Sequence, residues 1–448
     1  MNPVPAALPE LRECPGCGRF QILPDLAPGM IALCERCPTT LRRAVVHSHD
    51  VSIALNLAAL ILLVILCSST LLSVQTAGIM LQAGLFSGPI ELTHQGMASI
   101  AAVVVFVTVI APFAKLAGTL YVLIAMQRAQ PPRHLRLVFT WVERLTPWSM
   151  LEVFVFGVFV AYTKLGDLVT ITLNGGIYVL LVLTFLLAWA DGALHRASVW
   201  TLLGGPANSQ TVPAASLPRS GQTGQAGDDG RRAIGCETCN LVSVPAHCPD
   251  GEHPACPRCD SALHIRKPNS IARTWALLIA AAVMYIPANY FPVLTVVQLG
   301  AGSPSTILGG VEELLLSRMY PLAALVFFAS IAVPMLKLVG LTTLLIATQT
   351  GNARWLAERT RLYRIICWIG RWSMIDIFME ALLGALVRFG KIATIEPGFG
   401  AVAFCSVVIL TILAAESFDP RLMWDAAERG QRGTSDVSEP FTQSSSRA

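Results

Sequence analysis

Four cysteines recur at a fixed distance. Cys14, Cys17, Cys34 and Cys37 are matched by Cys236, Cys239, Cys256 and Cys259, each 222 residues later. Within each set, two C-x-x-C pairs are separated by sixteen residues. A C-x-x-C pair places two sulfurs on one tight turn, and a spacer of this length lets two such turns close around a tetrahedral ion. The spacing predicts two zinc ribbons of short strands, each holding one Zn2+. Buried thiols without metal and a redox dithiol are the competing readings. Two matched sets with no βαβ pattern around them favour metal. Cys67, Cys248, Cys367 and Cys405 show no ligand spacing. Zinc thiolates persist in a reducing compartment, so both ribbons are expected in the cytoplasm.

Four apolar segments follow each set, at 51–72, 97–126, 148–165 and 172–195 and again at 272–294, 319–347, 372–389 and 398–418. Most approach or exceed the ~20 residues that cross a bilayer. With 54% hydrophobic and 13% charged residues over 448 positions, the chain is expected to be an integral membrane protein. Its net charge of +4 is too small to argue for a nucleic-acid partner. The connection at 127–147 holds Arg128, Arg133, Arg136 and Arg144, while 73–96 has no lysine or arginine. Arg354, Arg359, Arg361, Arg364 and Arg371 mark the corresponding connection later. The positive-inside rule places these connections, the ribbons and both termini in the cytoplasm. The predicted fold is an α-helical polytopic membrane protein with eight transmembrane helices in two parallel four-helix repeats, each preceded by a cytoplasmic four-cysteine zinc ribbon. The expected division is a flexible leader at 1–13, ribbon 1 at 14–46, a four-helix module at 47–203 and a Gly/Ser/Pro/Gln-rich linker at 204–235. Ribbon 2 at 236–268, a second module at 269–420 and a disordered tail at 421–448 complete it.

The repeat extends into the helices. Pro112, Lys115 and Gly118 are matched by Pro334, Lys337 and Gly340, and Trp148-Ser149-Met150 by Trp372-Ser373-Met374. Each trio is followed two residues later by an acid, Glu152 or Asp376. A charge within hydrocarbon marks a functional site by default. Pro112 and Pro334 remove a backbone hydrogen bond one turn before a lysine and predict kinks. Ser330 lies two turns from Lys337 on the same face, and Thr411 lies at a depth comparable with Asp376. A polar cluster of Ser330, Lys337, Asp376 and Thr411 is therefore expected in the second module, with Lys115 and Glu152 the corresponding pair in the first. Such a cluster is either a protonation switch or a static pair that fixes packing. Pro287 and Asn289, within Pro287-Ala288-Asn289-Tyr290-Phe291-Pro292, suggest an opened helix end beside a cavity or a simple exit from the membrane. The first half has Ile65-Leu66-Cys67 there instead. There is no G-x-x-x-x-G-K-[ST] loop, G-x-S-x-G elbow or H-E-x-x-H helix, so neither P-loop ATP chemistry nor a hydrolase is indicated.

The order of a four-cysteine knuckle, four helices, P-x-x-K and W-S-M-x-[DE]-x-F resembles the paraquat-inducible protein A family. The second half matches most fully, through Ile286-Pro287-Ala288-Asn289, Pro334-Met335-Leu336-Lys337-Leu338 and Trp372-Ser373-Met374-Ile375-Asp376-Ile377-Phe378. The resemblance spans roughly residues 10 to 425. It implies a multi-pass protein of the bacterial inner membrane that is not an enzyme and that partners an MCE-domain periplasmic tunnel protein. It further implies that the chain loads membrane phospholipid into that tunnel or accepts it from there without ATP, and that Ser330, Lys337, Asp376 and Thr411 are functional. A protonmotive mechanism through Lys337 and Asp376 is the expected energy source. The alternatives are a non-transporting anchor for the MCE protein and a small-molecule or redox carrier in envelope stress defence.

Overall fold

The structure is a computed structural model that describes residues 10–24, 26–27, 29–44, 49–76, 79–128, 132, 134–165, 170–203, 233–245, 254–298, 301–386 and 393–435. Ribbon 1 is two hairpins, β1 (Glu10–Glu13) with β2 (Phe20–Leu23) and β3 (Ile31–Leu33) with β4 (Thr40–Arg43). Residues 10–13, expected in the leader, thus belong to a strand. The first half continues through α1 (His49–Ser68), β5 (Thr70–Thr76), β6 (Ile79–Gly84), α2 (Ser87–His94), α3 (Ala98–Val105), α4 (Ala111–Ala125), α5 (His134–Leu145), α6 (Leu151–Leu165), β7 (Thr170–Leu173), α7 (Gly175–Ala193) and α8 (Arg196–Leu202). Ribbon 2 holds β8 (Ile234–Gly235), β9 (Val242–Ser243) and a bridge between Ala255 and Ala262. The linker expected at 204–235 lies outside the described residues over 204–232, and its last residues enter β8.

The second half comprises α9 (Ser270–Tyr290), β10 (Leu294–Gln298), β11 (Ala301–Ser305), α10 (Ile307–Leu316), α11 (Tyr320–Phe327), α12 (Val333–Gln349), α13 (Leu356–Gly370), α14 (Ile375–Leu386), β12 (Ala393–Pro397), α15 (Phe399–Ser417) and α16 (Arg421–Ser435). Among the described residues, seven helical stretches are long and apolar enough to cross a membrane: 49–68, 98–125, 134–163, 175–193, 270–290, 320–349 and 399–417. The α13–α14 pair carries Arg371, Asp376 and Glu380 near its centre. At the end of the helices away from the ribbons, β6-β5-β7 and β11-β10-β12 form two antiparallel three-stranded sheets.

Both Trp-Ser-Met runs lie in breaks, not at the starts of helices. Thr146–Trp148 is a 3-10 turn between α5 and α6, and Arg371–Met374 is one between α13 and α14. The segment expected at 148–165 therefore begins as a helix at His134, and most of the arginine-bearing connection at 127–147 is helical. Pro112 and Pro334 each follow a one-turn π-helix, at Phe106–Ile110 and Phe328–Ala332. A proline has no N–H to give, and the widened turn accommodates the missing bond. By contrast, α9 runs unbroken through Pro287 to Tyr290, and the Asn289 amide donates to the Tyr285 carbonyl at 2.8 Å. The helix end is therefore closed up to Phe291.

The halves meet along α6 and α14. The rings of Phe154 and Phe378 contact edge to face at 5.5 Å, and a Cβ on Gly157 would fall 2.8 Å from Phe378 Cβ. Only a glycine permits this approach. The ribbons cross over. Cys14, Cys37, Leu23 and Leu41 of ribbon 1 share an apolar core with Leu341, Leu345, Ile366, Phe418 and Met423 of the second half. Cys236, Cys259, Leu241 and Leu263 of ribbon 2 pack with Val122, Leu135, Phe139 and Trp200 of the first.

Residues 421–435, expected in a disordered tail, are helical in α16 because Met423 and Trp424 are buried and Arg421 is fixed at several points. Its guanidinium meets Asp419 at 3.0 Å, Glu13 at 3.2 Å and Glu237 at 2.5 Å, so it joins both ribbons to the last long helix. Arg266 adds bonds to Glu13 and Asp425.

Candidate functional site

Each four-cysteine set is fully buried, with all four sulfurs within 4.8 Å of one another. The knuckles arise locally. Gly18, Asn240 and Asp260, each directly after a C-x-x-C pair, adopt left-handed backbone, and their N–H groups return to the carbonyls of Cys14, Cys236 and Cys256. The Cys14–Cys37 and Cys17–Cys34 sulfurs are 3.4 and 3.6 Å apart, and Cys236–Cys259 and Cys239–Cys256 are 3.5 and 3.6 Å apart. Four thiolates at about 2.3 Å from a central ion require edges close to these. The eight cysteines singled out by spacing are thus brought together in two groups that can hold metal ions.

The polar cluster expected in the second half divides in two. Lys337 is 2% exposed, and its ammonium donates to the Gly370 carbonyl at 3.1 Å and the Thr411 hydroxyl at 3.4 Å. Gly370 closes α13, where the 3-10 break leaves a carbonyl end that carries partial negative charge and suits a cation. Among the described residues, no carboxylate pairs with this lysine. Ser330 and Asp376 stand apart from it, in the wall of a cavity formed by α10, α11, α14 and α15 with Val293, Ser305, Leu314, Glu380 and Phe404. The cavity is small, about 40 Å³, room for a few waters. Ser330 reaches it because it sits in the π-turn.

The first half is arranged differently. Lys115 does not meet Glu152; its ammonium bonds Asp191 of α7 at 2.6 Å. Glu152 instead faces outward on α6. The pairing inferred from the matched positions is thereby corrected, because the facing of side chains across helices decides the partner. At Pro112, the Val107 carbonyl takes the N–H of Met150 at 3.3 Å, so the break in one helix satisfies the widened turn of another. Asp191, Gly370 and Glu380 are the residues that sequence reasoning passed over. Asp191 is an acid within an apolar segment, and that signal could have found it; Gly370 acts through its backbone and leaves none.

The family model described as "Paraquat-inducible protein A" matches residues 50–204 and 271–428. The "Intermembrane transport protein PqiA" of Escherichia coli (strain K12) is 33% identical over 416 residues, covering 92% of this chain and 95% of that one. The "Lipophilic envelope-spanning tunnel protein A" of the same organism is 30% identical over 421 residues, 94% of this chain and 92% of that one. A "Probable intermembrane transport protein" of Haemophilus influenzae is 26% identical over 419 residues, covering 93% and 95%. No solved structure matches.

Proposed function

The chain belongs to the paraquat-inducible protein A family, and we propose that it is an inner-membrane transporter of phospholipid that hands lipid to, or receives it from, an MCE-domain periplasmic tunnel protein. The printed names of its relatives, intermembrane transport and a lipophilic envelope-spanning tunnel, support transport across the envelope. In this reading α13–α14 is the seventh crossing and completes eight, the halves are parallel repeats, and both ribbons hold Zn2+ on the cytoplasmic side. The matched π-turns before Pro112 and Pro334 and the matched breaks at the Trp-Ser-Met runs support the repeat.

The observation that carries the proposal is the asymmetry of the two buried lysines. Lys115 is neutralised by a carboxylate, while Lys337 is held by a hydroxyl and a half-helix carbonyl. Beyond the Lys337 shell, Asp376 and Ser330 line a cavity. An ammonium so weakly compensated exchanges its proton at little structural cost, and this couples protonation to the shape of the second half. In this reading a lipid occupies a groove that opens beside the cavity in one state and leaves it in the other. With no P-loop in the sequence, the protonmotive force is the energy source in this reading.

The test is photo-crosslinking of cellular phospholipid to probes placed near Ser330 and Thr411 in the full-length chain and in Lys337→Ala. Labelling above that of an outward helix face, changed by the substitution, is expected. Labelling equal to the outward face removes the groove and leaves an anchor for the tunnel protein.

A further inference from the structure

Glu152 has no role in the Lys115 pair, yet it stands in a membrane-crossing stretch as an exposed carboxylate. Among the described residues it makes no hydrogen bond or ion pair. Phe156 and Phe159 continue the same helix face, 43% and 58% exposed. The Arg371–Met374 turn packs against α6, and the rings of Phe156 and Trp372 approach to 4.9 Å. Trp368, one helical turn earlier and 58% exposed, lies 5.9 Å from Trp372. Arg371 completes the patch; it is exposed and likewise has no partner among the described residues.

The depth of this patch follows from ribbon 1. Arg364 donates to the Pro38 carbonyl of that ribbon at 3.2 Å. Arg371 is two turns further along the helix, a rise of about 10 Å. That distance carries it from the water-exposed ribbon to the level of headgroups and upper acyl chains, where tryptophans concentrate. A carboxylate beside aromatic faces suits an ammonium, and a free guanidinium suits a phosphate. A zwitterionic headgroup carries both charges.

We propose that Glu152, Phe156, Trp368, Arg371 and Trp372 form a capture site for the headgroup of an amine-bearing phospholipid in the ribbon-side leaflet. The ammonium lies between Glu152 and the aromatic rings, and the phosphate lies on Arg371. The site rests on the transport reading and names the lipid class that it selects. It also accounts for an acid kept on a lipid-facing surface, where it is otherwise costly.

The experiment is native mass spectrometry of the detergent-solubilised full-length chain titrated with phosphatidylethanolamine or phosphatidylglycerol. The parent is expected to retain the ethanolamine lipid about fivefold better, the equivalent of roughly 1 kcal/mol from one carboxylate and its aromatic neighbours. Glu152→Gln, a conservative change at an exposed position, brings the two lipids level, and Arg371→Gln weakens both. Lys337→Ala keeps the preference while stopping transport. Equal retention by the parent, or a preference untouched by Glu152→Gln, overturns the site; if Lys337→Ala still stops transport, the transport reading stands without it. A preference that depends on Glu152 in a chain that moves no lipid would uphold the site and sink the transport reading.

Discussion

Lys115 and Lys337 each follow a proline by three residues, yet they are compensated by different chemistry. Lys115 and Asp191 form a direct ion pair at 2.6 Å, with side-chain exposures of 8% and 35%. Breaking one partner of a buried pair strands the other charge, and partial exposure of Asp191 discounts the cost to about 1–3 kcal/mol. Asp191→Asn is therefore expected to lower thermal stability while leaving lipid transfer near the parent rate. Lys337→Ala removes no ion pair, so stability stays close to normal and transfer is lost. Matched melting curves and transfer rates check both, and equal stability losses at the two sites would make both lysines structural. The sequence exposed these lysines because a charge in an apolar run is visible without knowing the fold. Of their partners it anticipated Thr411, by depth, but not Asp191 or Gly370, which only tertiary facing assigns.

The element that sets the second-half cavity is the widened turn before Pro334. Pro334 cannot donate, and the π-turn at Phe328–Ala332 directs Ser330 into the cavity wall. Pro334→Ala restores the N–H and lets the stretch relax to an α-helix, which rotates Ser330 by about one residue's turn. Stability is expected to hold or rise, and lipid transfer to fall about tenfold, equivalent to roughly 1.4 kcal/mol. Unchanged transfer would mean that the turn only accommodates the proline. The prolines announced these two sites in the sequence, although as kinks and not as π-turns. Pro287 gave the same signal and was accommodated inside α9, near the helix end, without an opening. The Trp-Ser-Met breaks were legible as motifs but not as breaks, because the arginines of α5 and α13 resemble a loop by composition.

At the scale of the whole molecule, the ribbons exchange places: ribbon 1 sits under the second half and ribbon 2 under the first. Spacing along the chain showed the cysteines but carried no information about which bundle a ribbon rests on. The crossing is fixed by Arg421, whose charge joins Glu13 and Glu237 from the two ribbons to Asp419 at the end of α15. Burial pushes the Asp419 carboxyl up, but the Arg421 guanidinium overcomes this and holds it below the usual aspartate range. Its contribution to stability is thus present above the ordinary aspartate pKa and lost as pH falls through its lowered value. The tether between the four-cysteine ribbons and the second half is intact at neutral pH. That half also holds Lys337, which we propose controls a lipid path by exchanging a proton. The most direct measurement is transfer of a fluorescent phospholipid from proteoliposomes carrying the full-length chain to an MCE-domain tunnel protein, with and without an imposed pH gradient. Transfer that rises with the gradient in the parent and is absent in Lys337→Ala is the predicted result. Transfer indifferent to the gradient and unchanged in Lys337→Ala would contradict it.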